Sequence, residues 1–346
     1  MSDGTILIVV PDHAWPDGGN AITARRIAHE LEGQFAGVEP VPLHDLDCRL
    51  GRGDVGLLHA LHVRRSGIAV ADAATRFGVP FVVTVSGTDL YQDLTPPRGR
   101  PDVSAVLAGA AAVTVFHQEA ARVAYCAVPS LRGKLHIVPP AMTSLDGSED
   151  RRSFGIPKDA LAFLLPAGLR PVKRPLFALE PLRRLKGDGE RVFFVIAGPP
   201  MDEAVTQSVI EAARAESWLT WLGAVPHERM GALYQSCDIV LNTSTAEGLS
   251  NAVLEAMASR KPIIASRNDG NVAALGEEAL LFDDGEGLYR AASSLAAQPL
   301  LRRKLVDDAW ERGSRLFTPA HEADGYARLY RSVLEPSQEQ RCGGDR

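Results

Sequence analysis

The sequence is poor in several things, and each shortage removes a class of function. No apolar run in its 346 residues approaches the roughly 20 residues that a membrane-spanning helix needs. Cysteine is scarce. Cys48, Cys126, Cys237 and Cys342 are scattered, with neither metal-like spacing nor a disulfide framework, and Cys237 falls in an apolar run that reads as core. There is no excess of basic residues: the formal net charge is −6, so the basic face that nucleic acid requires is not expected. The N-terminus lacks a signal-peptide core, because Thr5–Val10 is only strand length. These shortages point to a reduced, cytoplasmic location. What remains is 45% apolar and 23% charged residues, ordinary for a soluble globular protein with room for two domains.

Short apolar runs alternate with helical patterns along the chain, the signature of βαβ units and parallel sheets. One set of strands is expected at Ile6–Val10, Val38–Leu43, Val55–Ala60, Phe81–Val85, Ala112–Phe116 and Leu135–Val138. A second is expected at Ala162–Pro166, Val192–Ala197, Leu219–Gly223, Cys237–Asn242, Pro262–Ser266 and Leu280–Asp283. The fold class is therefore α/β, two tandem doubly wound, Rossmann-like domains. The polar stretch from Ser144 to Asp150 marks the join, giving domains over 1–148 and 149–318, a last helix over 319–335 and a disordered tail over 336–346. Two such domains facing each other would enclose a ligand cleft at the carboxyl ends of their strands.

The richest segment is Glu247-Gly248-Leu249-Ser250-Asn251-Ala252-Val253-Leu254-Glu255. An apolar strand feeds a polar loop, and the loop opens a helix with Ser250 or Asn251 at its N-cap. Backbone N–H groups at a helix start, backed by the helix dipole, bind phosphate. Carboxylates on either side accept hydrogen bonds from hydroxyls, so the segment suits a sugar nucleotide. It also resembles the Glu-x7-Glu signature of the retaining family 4 glycosyltransferases, which have the GT-B fold. That resemblance implies that Glu247 contacts the hexose, that amides around Gly248-Leu249-Ser250-Asn251 hold the diphosphate, and that Glu255 binds the ribose. The final helix crosses back to the first domain in that family. Some of its members dock on anionic membranes through a basic first domain, but residues 1–148 here carry 12 Lys+Arg against 15 Asp+Glu, a balance of −3, so no such docking is expected.

Other loops fit the same picture. Gly168-Leu169-Arg170-Pro171-Val172-Lys173 follows a second-domain strand and puts two cations where a leaving diphosphate needs them. It is similar to the family's Gly-Arg-Leu…Lys-Gly loop, with Arg after Leu and a shorter spacing; by resemblance Arg170 and Lys173 join Glu247 as catalytic residues. Asp17-Gly18-Gly19-Asn20 follows the first strand without the Gly-x-Gly-x-x-Gly of a dinucleotide site; Asn20 can cap the next helix, and in the family this loop covers the donor phosphate. Trp221 ends a strand that lies near the base in the family, and it either packs in the core or meets the base. Ser266-Arg267-Asn268-Asp269-Gly270-Asn271 is placed to close on sugar or diphosphate.

For the acceptor, the candidates are His62, Arg64, Arg65, Ser86, Asp89 and His117, all at strand ends of the first domain. Two arginines there suit an anionic acceptor. Asp89 can pair with Arg64 or Arg65 or take an acceptor hydrogen bond, and His117 either contacts the acceptor or packs. Ser86 stands where the family's Thr-x-His-Gly-x-Asp turn carries His. These first-domain segments resemble bacterial selenosugar synthases, which join selenophosphate to a UDP-sugar. The second half resembles the glycosyltransferase-1-domain proteins of animals as much.

The expectation is a retaining hexosyltransferase using a nucleoside diphosphate sugar, UDP-linked, and a small acceptor. No cofactor is expected, and with Arg170, Lys173 and helix amides supplying positive charge, no metal. Asp45-Leu46-Asp47 is read as an acidic loop rather than a metal motif, since that motif belongs to a one-domain class. A sugar-nucleotide epimerase of the same fold and a binding protein that has lost catalysis are the rival readings. The base, the hexose, the acceptor and the oligomeric state stay open.

Overall fold

The computed structural model describes residues 4–335 except 13–15, 17 and 95–98, so Asp17 and the tail expected to be disordered lie outside the described residues. The chain divides into two compact units, one made of residues up to Ala141 together with those from Thr318 onward, the other of Met142–Phe317.

The first unit runs β1 (Thr5–Val10), α1 (Gly19–Glu30), β2 (Val38–Pro42), a short α2 (Leu46–Leu50), β3 (Val55–Leu61), α3 (Ile68–Phe77), β4 (Phe81–Thr84), α4 (Pro101–Gly109), β5 (Ala112–Val115), α5 (Gln118–Ala127) and β6 (Leu135–Ile137). Its six strands are all parallel, in the order β2-β1-β3-β4-β5-β6. The second unit runs β7 (Leu161–Pro166), α6 (Leu179–Gly187), β8 (Val192–Ala197), α7 (Glu203–Ala215), β9 (Leu219–Trp221), α8 (His227–Ser236), β10 (Ile239–Asn242), α9 (Asn251–Ala258), β11 (Ile263–Ser266), α10 (Asp269–Leu275), β12 (Leu281–Phe282), α11 (Gly285–Ala297) and α12 (Pro299–Leu316). Its six strands are also parallel, in the order β12-β11-β10-β7-β8-β9. All twelve expected strands are present. The largest shifts are at β9, which stops at Trp221 before the left-handed Gly223, and at β10, which starts after Cys237 has closed α8.

Parallel strands covered on both faces are apolar at every position, and β1 shows why. Ile6, Ile8 and Val10 pack on one face against Ala21, Ala24 and Ile27 of α1. Leu7 and Val9, on the other, belong to a core that also holds Val70 of α3, Leu107 of α4 and Ala124 of α5. The first face is completed by the last helix, α13 (Pro319–Leu334), which contributes Ala323, Tyr326, Ala327 and Tyr330. Pro319 and the Thr318 hydroxyl, which accepts from the His321 amide at 3.1 Å, start that helix. It lies so close to β6 that a Cβ on Gly325 would come within 2.9 Å of Val138.

Polar contacts fix α13 as well. Arg26 of α1 grips Glu322 with two hydrogen bonds, at 2.6 and 2.9 Å, and the Glu322 side chain is only 1% exposed. Under the helix, His59 Nδ1 meets the Tyr330 hydroxyl at 2.7 Å and its Nε2 meets Thr84 Oγ1 at 2.7 Å, with Thr114 Oγ1 a further 2.6 Å from Thr84. Burial alone drives the His59 pKa down to about 3, so the ring stays neutral in the folded protein.

Two outcomes are expected. Glu322→Ala breaks a buried ion pair and takes the two-pronged partner from Arg26, so it should cost about 3 kcal/mol in urea unfolding. His59 takes a proton near pH 6.5 only when unfolded, so its contribution is complete above that pH and declines toward pH 3. Between pH 6.5 and 5.5 it should remove about 1 kcal/mol of stability, a slope that His59→Gln lacks.

Candidate functional site

In a doubly wound sheet the ligand crevice opens where the strand order reverses. In the second unit the chain leaves β7 toward β8 and β9, while β10, β11 and β12 lie on its other side. The reversal is therefore between β7 and β10, and the loops leaving those two strands carry Arg170 with Lys173 and Glu247 with Gly248.

The two loops are stapled together. The Thr245 amide donates to Val172 O at 2.8 Å, and the Thr243 hydroxyl donates to Lys173 O at 2.7 Å. Arg174 takes a left-handed backbone, φ +44°, which sends its Nε to Thr243 O at 2.8 Å with the guanidinium over the Phe177 ring. This stapling sets Lys173 Nζ 2.5 Å from Glu247 Oε1, both side chains being largely out of water. The same oxygen accepts from Ser244 Oγ at 2.6 Å and Asn242 Nδ2 at 3.3 Å. Burial alone would raise the Glu247 pKa, but the Lys173 charge and these three donors outweigh it and hold the carboxyl below its usual range. None of the described hydrogen bonds reaches Oε2, which is left to accept from a ligand hydroxyl.

Arg170 precedes the tight turn Pro171–Lys173. Burial lowers its pKa while the Glu247 charge pushes the other way, and its Nε is buried without a hydrogen-bond partner among the described residues. A guanidinium with an unused buried donor beside a neutralised Lys–Glu pair is the net positive charge of the site.

At the head of α9 the N-cap is Ser250, not Asn251, by its extended backbone. Its hydroxyl is turned onto Asn242 Nδ2 at 3.2 Å, and among the described residues it makes no capping hydrogen bond to the helix. The positive end of the helix dipole at this point favours an anion. Within α9, Glu255 Oε2 accepts from the Tyr234 hydroxyl at 2.9 Å. Trp221 is half-buried, and its indole N–H is held by Gly198 O at 3.0 Å.

The segment expected to close on the sugar does something else. Asn271 is fully buried and donates to Asn242 Oδ1 at 3.2 Å and Ser266 O at 2.8 Å. Asn268 caps α10 and reaches Ser244 O at 3.0 Å, while Arg267 pairs with Glu277. The head of α10 presses on the Glu247 loop so closely that a Cβ on Gly270 would lie 2.5 Å from Glu247 O. Ser266, Asn268 and the Asn271 amide nitrogen thus support the Glu247 loop from behind. Asn242 and Ser244, which position Glu247, were missed in the sequence, where only a polar run after an apolar strand marked them.

In the first unit the order reverses between β1 and β3. Gly18, extended at φ −76°, is the N-cap of α1, so Asn20 is already helical and reaches Leu61 O at 3.5 Å instead of capping. Gly19 is the first residue of that helix. After β3, His62 is buried with φ +90°, an uncommon backbone for a residue with a side chain, and opens the π-turn Val63–Gly67. Its Nε2 lies 3.0 Å from Thr88 Oγ1 and its Nδ1 accepts from the Arg65 amide at 3.4 Å. Asp89 pairs with neither arginine. It is fully buried and accepts from the amides of Val63, Ser86, Gly87 and Leu90 at 2.8–3.2 Å. Arg64 pairs with Asp93 at 3.2 Å, and His117 is the N-cap of α5, its Nδ1 accepting from Ala120 N at 3.2 Å.

Because Glu247 is buried, losing its cation should be costly. Lys173→Met is expected to destabilise the protein by about 3 kcal/mol at pH 7. The carboxyl pKa rises in that variant, so the penalty should shrink as the pH falls and Glu247 takes up a proton. Adding Glu247→Gln should restore most of the loss at pH 7; urea unfolding at two pH values checks all three.

Residues 146–312 match the family model "Glycosyl transferases group 1". Among curated proteins the chain is 28% identical over 241 residues to a glycosyltransferase 1 domain-containing protein 1 of Xenopus tropicalis, covering 67% of this chain and 70% of that one. It is 25% identical over 338 residues to a D-inositol 3-phosphate glycosyltransferase of Acidothermus cellulolyticus, covering 86% and 75%. Among solved structures, Anabaena HepE in complex with UDP and glucose superposes with a TM-score of 0.78 at 16% identity, covering 95% of this chain and all of that one. A sucrose-phosphate synthase of Thermosynechococcus elongatus gives a TM-score of 0.75 at 19% identity, covering 96% and 99%. The chain thus has the GT-B fold, and the stretch that matches the glycosyl transferases group 1 model lies in its second unit and contains the charged loops at the β7/β10 reversal.

Proposed function

We propose that this protein transfers a hexose from a nucleoside diphosphate sugar, UDP-linked, to a small acceptor with retention at the anomeric carbon. The observation that carries the reading is the pairing of two loops at one strand-order reversal. One supplies Arg170 and Lys173; the other supplies Glu247 and runs into the head of α9. In the reaction, the bond between the anomeric carbon and the phosphate oxygen breaks and its electron pair goes to the diphosphate. Arg170, Lys173 and the α9 amides stabilise that charge as it develops. The acceptor oxygen attacks from the same face, and its proton passes to the departing phosphate oxygen. Glu247 orients the sugar hydroxyls through Oε2. With two fixed cations on the leaving group, the reaction needs no metal, and turnover should survive EDTA.

The similarity to HepE, solved with UDP and glucose and with UDP-glucose, makes UDP the first nucleotide to test. The acceptor is assigned to the strand ends beside the reversal of the first unit, where His62 and Arg65 follow β3 and Ser86 follows the neighbouring β4. An anionic acceptor suits Arg64 and Arg65, and selenophosphate belongs in the first screen.

The donor site can be tested without knowing the acceptor. UDP, GDP, ADP and TDP are compared by thermal shift on the parent and on Arg170→Ala. At about 100 times its dissociation constant, the right nucleotide stabilises by roughly 2.7 kcal/mol. One diphosphate should stabilise the parent and do much less for Arg170→Ala. If none does, the donor-site reading fails. Once an acceptor is found, Arg170→Ala should lower turnover by about 100-fold.

A further inference from the structure

The two oxygens of Glu255 are treated differently. Oε2 is held by the Tyr234 hydroxyl, whose pKa burial pushes well above its usual range, so that it remains a donor. Oε1 faces His227 Nε2 across 3.6 Å, too far for a direct hydrogen bond. That Nε2 atom is buried and has no hydrogen-bond partner among the described residues. The large majority of buried polar atoms are paired in folded proteins, so an unpaired one facing a carboxylate calls for an explanation.

The placement follows from the sequence around it. Pro226 precedes α8 and fixes the chain direction into its first turn, where His227 is the first residue. Tyr234 is seven residues later on the same helix, so both side chains project from one face toward Glu255. Two atoms 3.6 Å apart can share one hydroxyl oxygen at about 2.8 Å from each, given a small movement of either side chain. Such a hydroxyl donates to Glu255 Oε1 and accepts from the N–H of His227 Nε2.

We propose that His227 is a specificity residue that reads a ribose hydroxyl jointly with Glu255. This rests on the donor-site reading and adds to it a second side chain for the nucleoside. It makes the protein a reader of ribonucleotides rather than of diphosphates in general. A ligand lacking that hydroxyl leaves both the imidazole N–H and the carboxylate oxygen unpaired in a buried place, the situation in which discrimination is largest.

The test is calorimetric titration of the parent, His227→Phe and His227→Gln with UDP, 2′-deoxy-UDP, 3′-deoxy-UDP and inorganic pyrophosphate, the base being exchanged if thermal shift selects another. The parent should bind UDP at least about tenfold more tightly than one of the deoxy analogues. In His227→Phe, which keeps a ring but loses the donor, that gap should close to about twofold, and His227→Gln, with an amide donor, should reopen it. Pyrophosphate affinity should be the same in all three. The proposal is overturned if the gap survives in His227→Phe, if Gln fails to reopen it, or if the parent does not distinguish UDP from either analogue. A parent that binds pyrophosphate but no nucleoside diphosphate overturns the donor-site reading along with it.

Discussion

A carboxylate taken out of water has to be compensated, and the second unit is arranged around that requirement at Glu247. Three donors converge on one of its oxygens, and each is itself held. Lys173 comes from a loop stapled by Thr243 and Thr245, Asn242 is braced by buried Asn271, and Ser244 O receives the hydroxyl of Ser266 at 2.5 Å. The left-handed Arg174 is part of the same arrangement. Such a backbone costs of order 1 kcal/mol or more, which its hydrogen bond to Thr243 and its packing on Phe177 offset.

The first unit solves the same problem differently at Asp89, where four backbone amides replace cations. Amides that belong to a turn cannot leave without unfolding it, so Asp89 fixes a loop shape and the bend at His62. A lysine ammonium has three donors on a flexible stem and can turn part of them toward an incoming phosphate without leaving its carboxylate. Of these two buried carboxylates, the one held by a side-chain cation is the one suited to handle a charged ligand.

Much of this was readable in the sequence because both sheets are parallel and buried on both faces. Continuous apolar runs located every strand, and the polar segments after β7 and β10 located the charged loops. Contacts between groups distant in the chain were not readable. Nothing around Asp89 tells that its carboxylate folds back onto four amides, and nothing in the polar run 266–271 separates an inward Asn271 from an outward one. His62 is the plainest case: a positive φ at a residue with a side chain runs against local preference and is imposed by the surrounding buried contacts. Trp221 is half-buried, with its indole tied to the neighbouring loop, a contact that its place at a strand end did not announce. His227 carried no signal, since its meaning lies wholly in the position of Glu255.

The helix α13 has a consequence for the order in which the chain can become a protein. The first sheet leaves the ribosome early, but one of its faces lacks Ala323, Tyr326, Ala327 and Tyr330 until the second unit has been made. The second unit, by contrast, is continuous in sequence. Domains usually mature from the N-terminus onward during synthesis. Here the later unit can close first, and the earlier one must wait with an apolar face and a buried-type histidine exposed, which makes the nascent first unit the natural client for a chaperone.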